Sequence, residues 1–334
     1  MSASLLTQAK ALRDTISVIR EEQLRAIPWT PIPTTTEYID SRFGACPAQG
    51  CIRLDIYQPI SSVNNANCQQ DDGPRLAMIT FHGGGFVIGE GTDDAIFAKS
   101  SMDKLGSTVI AVSYRLSPEY PFPIPVEDAV SAILHISNNS ERYGLDQDKI
   151  VLAGFSAGAS LALTSSYILN TLKSNPWGYT VPENLVMPKI KIKGLILIYP
   201  LLDYTTTREE KMKTSLKPEE ALSIEESNLF ENSYLPKTIK HLDKRDARIS
   251  PSLASDELVK GLPPIFVTIC EYDILRDEAL VFIDRLKSLG KKVDWSEVKG
   301  ENHCWDRPPP IELKNSVLVE YGKALDVAGT WLEQ

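Results

Sequence analysis

The chain reads as an α/β fold, a mostly parallel sheet with helices on both faces. Two observations predict it. Short apolar runs of strand length alternate with longer stretches of helical period along most of the 334 residues. Such alternation lays crossover helices over a parallel sheet. The apolar run 150–153 also leads straight into Gly154-Phe155-Ser156-Ala157-Gly158 and then into small and apolar residues of helical character. That is a strand, a sharp turn and a helix. The hydrophobic fraction, 43%, supplies a core large enough for such a sheet.

The elements follow in order. Residues 5–24 carry Leu5, Ala9, Leu12, Ile16 and Ile19 with charges between them, one apolar face of a helix. Pro28, Pro31 and Pro33 end it. Residues 34–43 and 52–57 alternate as half-exposed strands. A polar surface loop is expected over 58–74. Strands are then predicted at 76–81, 108–114, 150–153, 195–199, 265–270 and 293–298, and helices at 93–105, 126–143, 157–172, 277–289 and 313–332. Residues 203–250 break the alternation. They are polar, with Glu209-Glu210-Lys211 and Pro218-Glu219-Glu220, and fit one or two short helices inserted between strands. The expected organisation is an N-terminal cap segment (1–45), a core (46–203), a cap insertion (204–250) and the rest of the core (251–334).

Composition excludes several classes. The 35 Lys and Arg against 44 Asp and Glu give a net charge of -9, and no basic stretch stands out to neutralise phosphates, so nucleic acid is not an expected partner. Cys46, Cys51, Cys68, Cys270 and Cys304 are odd in number and scattered, as free thiols in a reducing compartment are. No His-rich or Cys-rich cluster is present, and neither a metal nor an organic cofactor is expected. No apolar run has the form of a signal peptide or the length of a membrane span. The expectation is a cytoplasmic monomer or homodimer that acts on a small-molecule acyl substrate.

Acyl transfer needs a nucleophile, a base, a group to orient the base and donors for an oxyanion. Ser156 sits where a strand turns sharply into a helix. Glycine on either side allows the tight bend. Of the four histidines, His135 falls within a helical pattern, His241 in the polar insertion and His82 before a glycine run. His303 follows the strand at 293–298 in a loop, at the carboxyl end where α/β sheets place their sites. The orienting acid is expected after the preceding strand, at Asp273, with Glu271 as the fallback. Asp277 suits the first turn of a helix, and Asp306 follows the histidine too closely. The amide of Ala157, at the helix start, is one oxyanion donor. The run Gly83-Gly84-Gly85 after His82 is costly in backbone entropy and exposes bare amides. Phosphate binding is the rival use of such a loop, but neither a following Gly-Lys-Ser/Thr nor a Gly-x-Gly-x-x-Gly spacing is present.

Five motifs in this order resemble the hormone-sensitive-lipase-like carboxylesterases of the α/β-hydrolase fold. They are Phe81-His82-Gly83-Gly84-Gly85-Phe86, Tyr114-Arg115-Leu116-Ser117-Pro118-Glu119, Phe122-Pro123 with Glu127-Asp128-Ala129, the Ser156 turn, and Asp273-x-Leu275-Arg276-Asp277-Glu278. The resemblance spans about Leu76 to Trp305. It implies ester hydrolysis by Ser156, Asp273 and His303, oxyanion donors at Gly84, Gly85 and Ala157, and a helical cap. The chain departs from the family at Phe155, where Asp is usual, at Gly158-Ala159 in place of Gly-Gly, and at Cys304-Trp305 in place of Gly-Phe. Phe86, Phe155 and Trp305 are therefore expected to line an aromatic pocket suited to an aromatic or polyketide-like ester. Two alternatives stay open: an acyltransferase, thioesterase or cyclase using the same serine, and a non-catalytic receptor. Similar plant receptors lack the histidine that His303 supplies here.

Overall fold

The computed structural model describes residues 4–44, 50–59, 73–179, 191–239, 242–307 and 313–333. Most of the polar loop expected at 58–74 lies outside them, as do Cys46, Cys68 and His241. The strands are β1 (Thr35–Asp40), β2 (Cys51–Tyr57), β3 (Arg75–Phe81), β4 (Thr108–Ser113), β5 (Leu145–Phe155), β6 (Ile192–Ile198), β7 (Ile265–Cys270) and β8 (Val293–Val298). They form one sheet in the order β1-β2-β4-β3-β5-β6-β7-β8. β2 pairs antiparallel with β1 and β4; the other neighbours run parallel.

Strand alternation divides the core between the two faces. Ala77, Ile79 and Phe81 of β3 and Leu195 and Leu197 of β6 pack with helices α3 (Ile124–Asn138), α4 (Ala157–Thr171) and α8 (Arg276–Ser288). Leu76, Met78, Ile196 and Ile198 face the other way, toward α2 (Ala95–Leu105) and α9 (Asn315–Leu332). A Cβ on Gly194 of β6 would stand 1.9 Å from the Trp331 ring, so that glycine sets how closely α9 approaches.

β5 is longer than its apolar run because Asp146 to Lys149, between the buried Leu145 and that run, are polar and half-buried or exposed, where hydrophobicity carries no signal. α3 stops at Asn138, short of the expected 143. Residues 139–144 turn instead, with Gly144 at φ 64° and the Tyr143 hydroxyl donating to Glu37 and lying 3.1 Å from His135 Nε2. The insertion contains α5 (Arg208–Thr214) and α6 (Ile224–Tyr234), each begun by a capping box, Thr207 with Glu210 and Ser223 with Glu226. α7 (Asp256–Lys260), capped by Ser255, is too short for a period to be read. α1 (Leu5–Ala26) packs against α6. Among the described residues no helix is long and apolar enough to cross a membrane.

Candidate active site

Four parallel strands deliver the site from their carboxyl ends: β3 the glycine loop, β5 Ser156, β7 Asp273 and β8 His303. Ser156 has φ 51° and ψ −117°, a sparsely populated conformation held only by surrounding structure. Its N–H donates to Ile198 O at 2.9 Å and its carbonyl accepts from Ala159 N at 3.0 Å. Both flanking glycines are compulsory. A Cβ on Gly154 would lie 2.2 Å from Gly158 O, and one on Gly158 would lie 2.0 Å from Phe81 O.

The residues expected as nucleophile, base and orienting acid come together. His303 Nε2 is 2.9 Å from Ser156 Oγ, and His303 Nδ1 is 2.6 Å from Asp273 Oδ2. Asp273 is buried, and its other oxygen accepts from Leu275 N at 2.9 Å. Burial opposes the charged imidazole, but the Asp273 carboxylate and the Cys304 thiol outweigh it and hold the His303 pKa well above its ordinary 6.5. The fallback Glu271 accepts from Gly300 N at 2.7 Å and pairs with Lys299, bracing the histidine loop. Asp306 faces away, bonded to the Tyr199 and Tyr321 hydroxyls at 2.6 and 2.5 Å. Asp277 lies in the first turn of α8.

Gly84 (φ 107°) and Gly85 (φ 58°) use conformations that favour glycine. Among the described residues no acceptor takes the N–H of Gly84, Gly85 or Ala157. Three donors are thus unspent beside a serine at a helix N-terminus. His82 supports the loop from beneath: it is buried, stacked on Tyr114 at 4.2 Å, with Nδ1 2.7 Å from Gly83 O. Burial pushes its pKa down to about 4, so the ring is neutral.

A family model of the alpha/beta hydrolase fold matches residues 78–307. The chain belongs to this family, in its hormone-sensitive-lipase-like branch. The hydrolase has relatives and structural neighbours that are esterases or deacetylases, and it is itself a carboxylesterase-type enzyme. Arylacetamide deacetylase of Bos taurus is 28% identical over 284 residues, covering 69% of this chain and 68% of its own. Versiconal hemiacetal acetate esterase of Dothistroma septosporum is 27% identical over 258 residues, covering 74% and 71%. The carboxylesterase EstE1, cloned from a metagenomic library, superposes with a TM-score of 0.73 at 27% identity over 100% of both chains.

In this hydrolase Ser156, Asp273 and His303 line a cavity of about 470 Å³. The walls correct the expected pocket. Phe86, Phe155 and Trp305 are all buried and none lines it. Phe155 is the last residue of β5 and alternates with Ala153 and Val151 onto the α2/α9 face, where it meets Phe97 and Tyr321. Trp305 packs edge-on against Tyr199 on that same face. Phe86 stacks on Tyr234 at 3.7 Å. The cavity is lined instead by Leu12 and Ile16 of α1, Tyr204, and Ile224 and Phe230 of α6. All five lie in the two segments expected as the cap, but no local pattern tells which side chains of those segments face the serine. Sequence reasoning missed Glu278, which accepts from Leu202 N at 2.6 Å and pairs with Lys211, fixing the cavity wall after β6. Those partners lie far apart in the chain, and no local pattern announces them.

Proposed function

We infer that the enzyme hydrolyses a carboxylic ester through an acyl-enzyme on Ser156. The observation that carries this is the unbroken chain from Ser156 Oγ through His303 to Asp273, at 2.9 and 2.6 Å. His303 Nε2 takes the hydroxyl proton as Ser156 Oγ attacks the carbonyl carbon. Asp273 fixes the ring tautomer and stabilises the imidazolium. The N–H groups of Gly84, Gly85 and Ala157 receive the oxyanion, each worth roughly 3–4 kcal/mol of barrier. The imidazolium returns its proton to the leaving alcohol. Water, deprotonated by the same ring, then releases the acid. Ser156→Ala tests the reading: turnover falls about 10⁶-fold while the fold persists. A variant retaining parental turnover overturns it.

The cap is formed by α1 and the insertion that carries α5 and α6; α1 packs on α6, and residues of both line the cavity with Ser156. The substrate is a bulky, largely apolar ester, aryl or polyketide-like. Three features support this: the volume of about 470 Å³, the apolar walls Leu12, Ile16, Ile224 and Phe230 with Tyr204, and the aromatic substrates named for the arylacetamide relative. The ester named for the Dothistroma septosporum relative supports it further. The measurement is kcat/KM across esters of rising acyl and aryl size. If acetyl and butyryl esters of simple alcohols exceed every bulky ester, the substrate class is wrong.

A further inference from the structure

The glycine loop belongs to neither a strand nor a helix, so its amides need an outside hold. Arg13 of α1 provides one. Its Nε donates to Val87 O at 2.8 Å and its Nη2 to Ser117 O at 2.6 Å. Glu119 receives the guanidinium at 2.8 and 3.0 Å, which fixes its plane. Ser117 N in turn donates to Phe86 O at 2.8 Å.

The contact with Val87 has a direct route to the serine. The carbonyl of Val87 and the N–H of Ile88 share one rigid peptide plane. That N–H donates to Gly84 O at 3.0 Å. The carbonyl of Gly84 shares its plane with the N–H of Gly85, an unspent donor that lines the cavity beside Ser156. A cation therefore stands at one end of two hydrogen-bonded peptide dipoles, and a free amide stands at the other. Dipoles in such a series polarise and orient one another.

We propose that Arg13 is a positioning residue for the oxyanion hole, acting through Val87, Ile88 and Gly84 on the Gly85 amide. Docking of α1 is thereby coupled to the chemical step. The proposal rests on the Ser156 mechanism, which Ser156→Ala tests separately by abolishing phosphonate labelling. The experiment titrates active sites with an aryl phosphonate and measures kcat per titrated site on a short ester that does not reach α1. Arg13→Ala lowers that kcat about 10–100-fold, the scale of a misplaced catalytic group, with KM within threefold and the pH midpoint unmoved. Millimolar guanidinium restores part of the loss. Arg25→Ala, an exposed residue of the same helix, retains parental values. A fall in titratable sites with parental kcat per site would reduce Arg13 to a fold-stabilising role and overturn the proposal. A rise in KM alone, marking α1 as a substrate wall only, would do the same. If Arg13→Ala yields too little folded enzyme, Arg13→Gln decides: about tenfold lower kcat per site supports the proposal, and parental kcat overturns it.

Discussion

His303 balances opposing effects. Burial disfavours the imidazolium, while the buried Asp273 carboxylate at 2.6 Å and the Cys304 thiol favour it more. A general base must be neutral before it takes a proton, so the acid limb of kcat/KM for the free enzyme has its midpoint above pH 6.5. Asp273→Asn removes the raising charge. It moves that midpoint down and lowers kcat about 10⁴-fold; a pH–rate profile of both proteins checks the pair of effects. Phe155 and Trp305 behave as core residues. Phe155→Ala costs roughly 3–5 kcal/mol of stability and leaves the order of preference among esters as it is in the parent. Urea unfolding and the ester panel together measure this.

Among the elements, α6, like α1, meets both the glycine loop and the cavity. A Cβ on Gly85 would lie 2.6 Å from the Phe230 ring, so the ring lies directly over the oxyanion loop while lining the pocket. Phe230→Ala removes an apolar wall, worth about 1–3 kcal/mol of burial for a bound aryl group. The KM of aryl esters rises about tenfold, and that of ethyl acetate stays constant. At the back of the sheet the contact of β6 with α9 is equally tight. Gly194→Ala drives a methyl into the Trp331 ring and destabilises by about 1–3 kcal/mol, read as a lower Tm with kcat unaltered in the folded enzyme.

For the molecule as a whole, burial of titratable groups sets the response to pH. His82 is neutral in the fold because burial depresses its pKa to about 4, whereas an unfolded histidine titrates near 6.5. The unfolded chain therefore binds the extra proton first. Stability falls as pH drops from 6.5 toward 4, by about 3 kcal/mol from this group. His303 works in the opposite sense: its raised pKa contributes stability below pH 6.5 that is lost as pH rises through the folded value. Asp94, pushed up to about 6 by burial despite Arg307 at 2.6 Å, also loses stabilisation as pH rises. The comparison is accordingly of His82→Gln with the parent. The difference between their unfolding free energies shrinks with falling pH, and a constant difference from pH 7 to 4 would contradict the assignment.

The order of the strands was readable from the chain because it is written locally, and the convergence of Ser156, Asp273 and His303 followed from their places after successive strand ends. Strands and helices announce themselves by apolar period, and the sharp turn at Ser156 demands glycine at fixed positions beside it. The same local alternation places Phe155 with Val151 and Ala153 on the buried back face, although its neighbouring serine faces the cavity. Only the tertiary structure decided which side chains form the pocket, since Leu12, Tyr204 and Phe230 come from segments distant in the chain. The hold of Arg13 on Val87 and Ser117, 74 and 104 residues away, was likewise invisible. Local sequence fixes backbone geometry through short-range sterics, whereas a pocket is built from contacts between distant segments, and no short pattern encodes those.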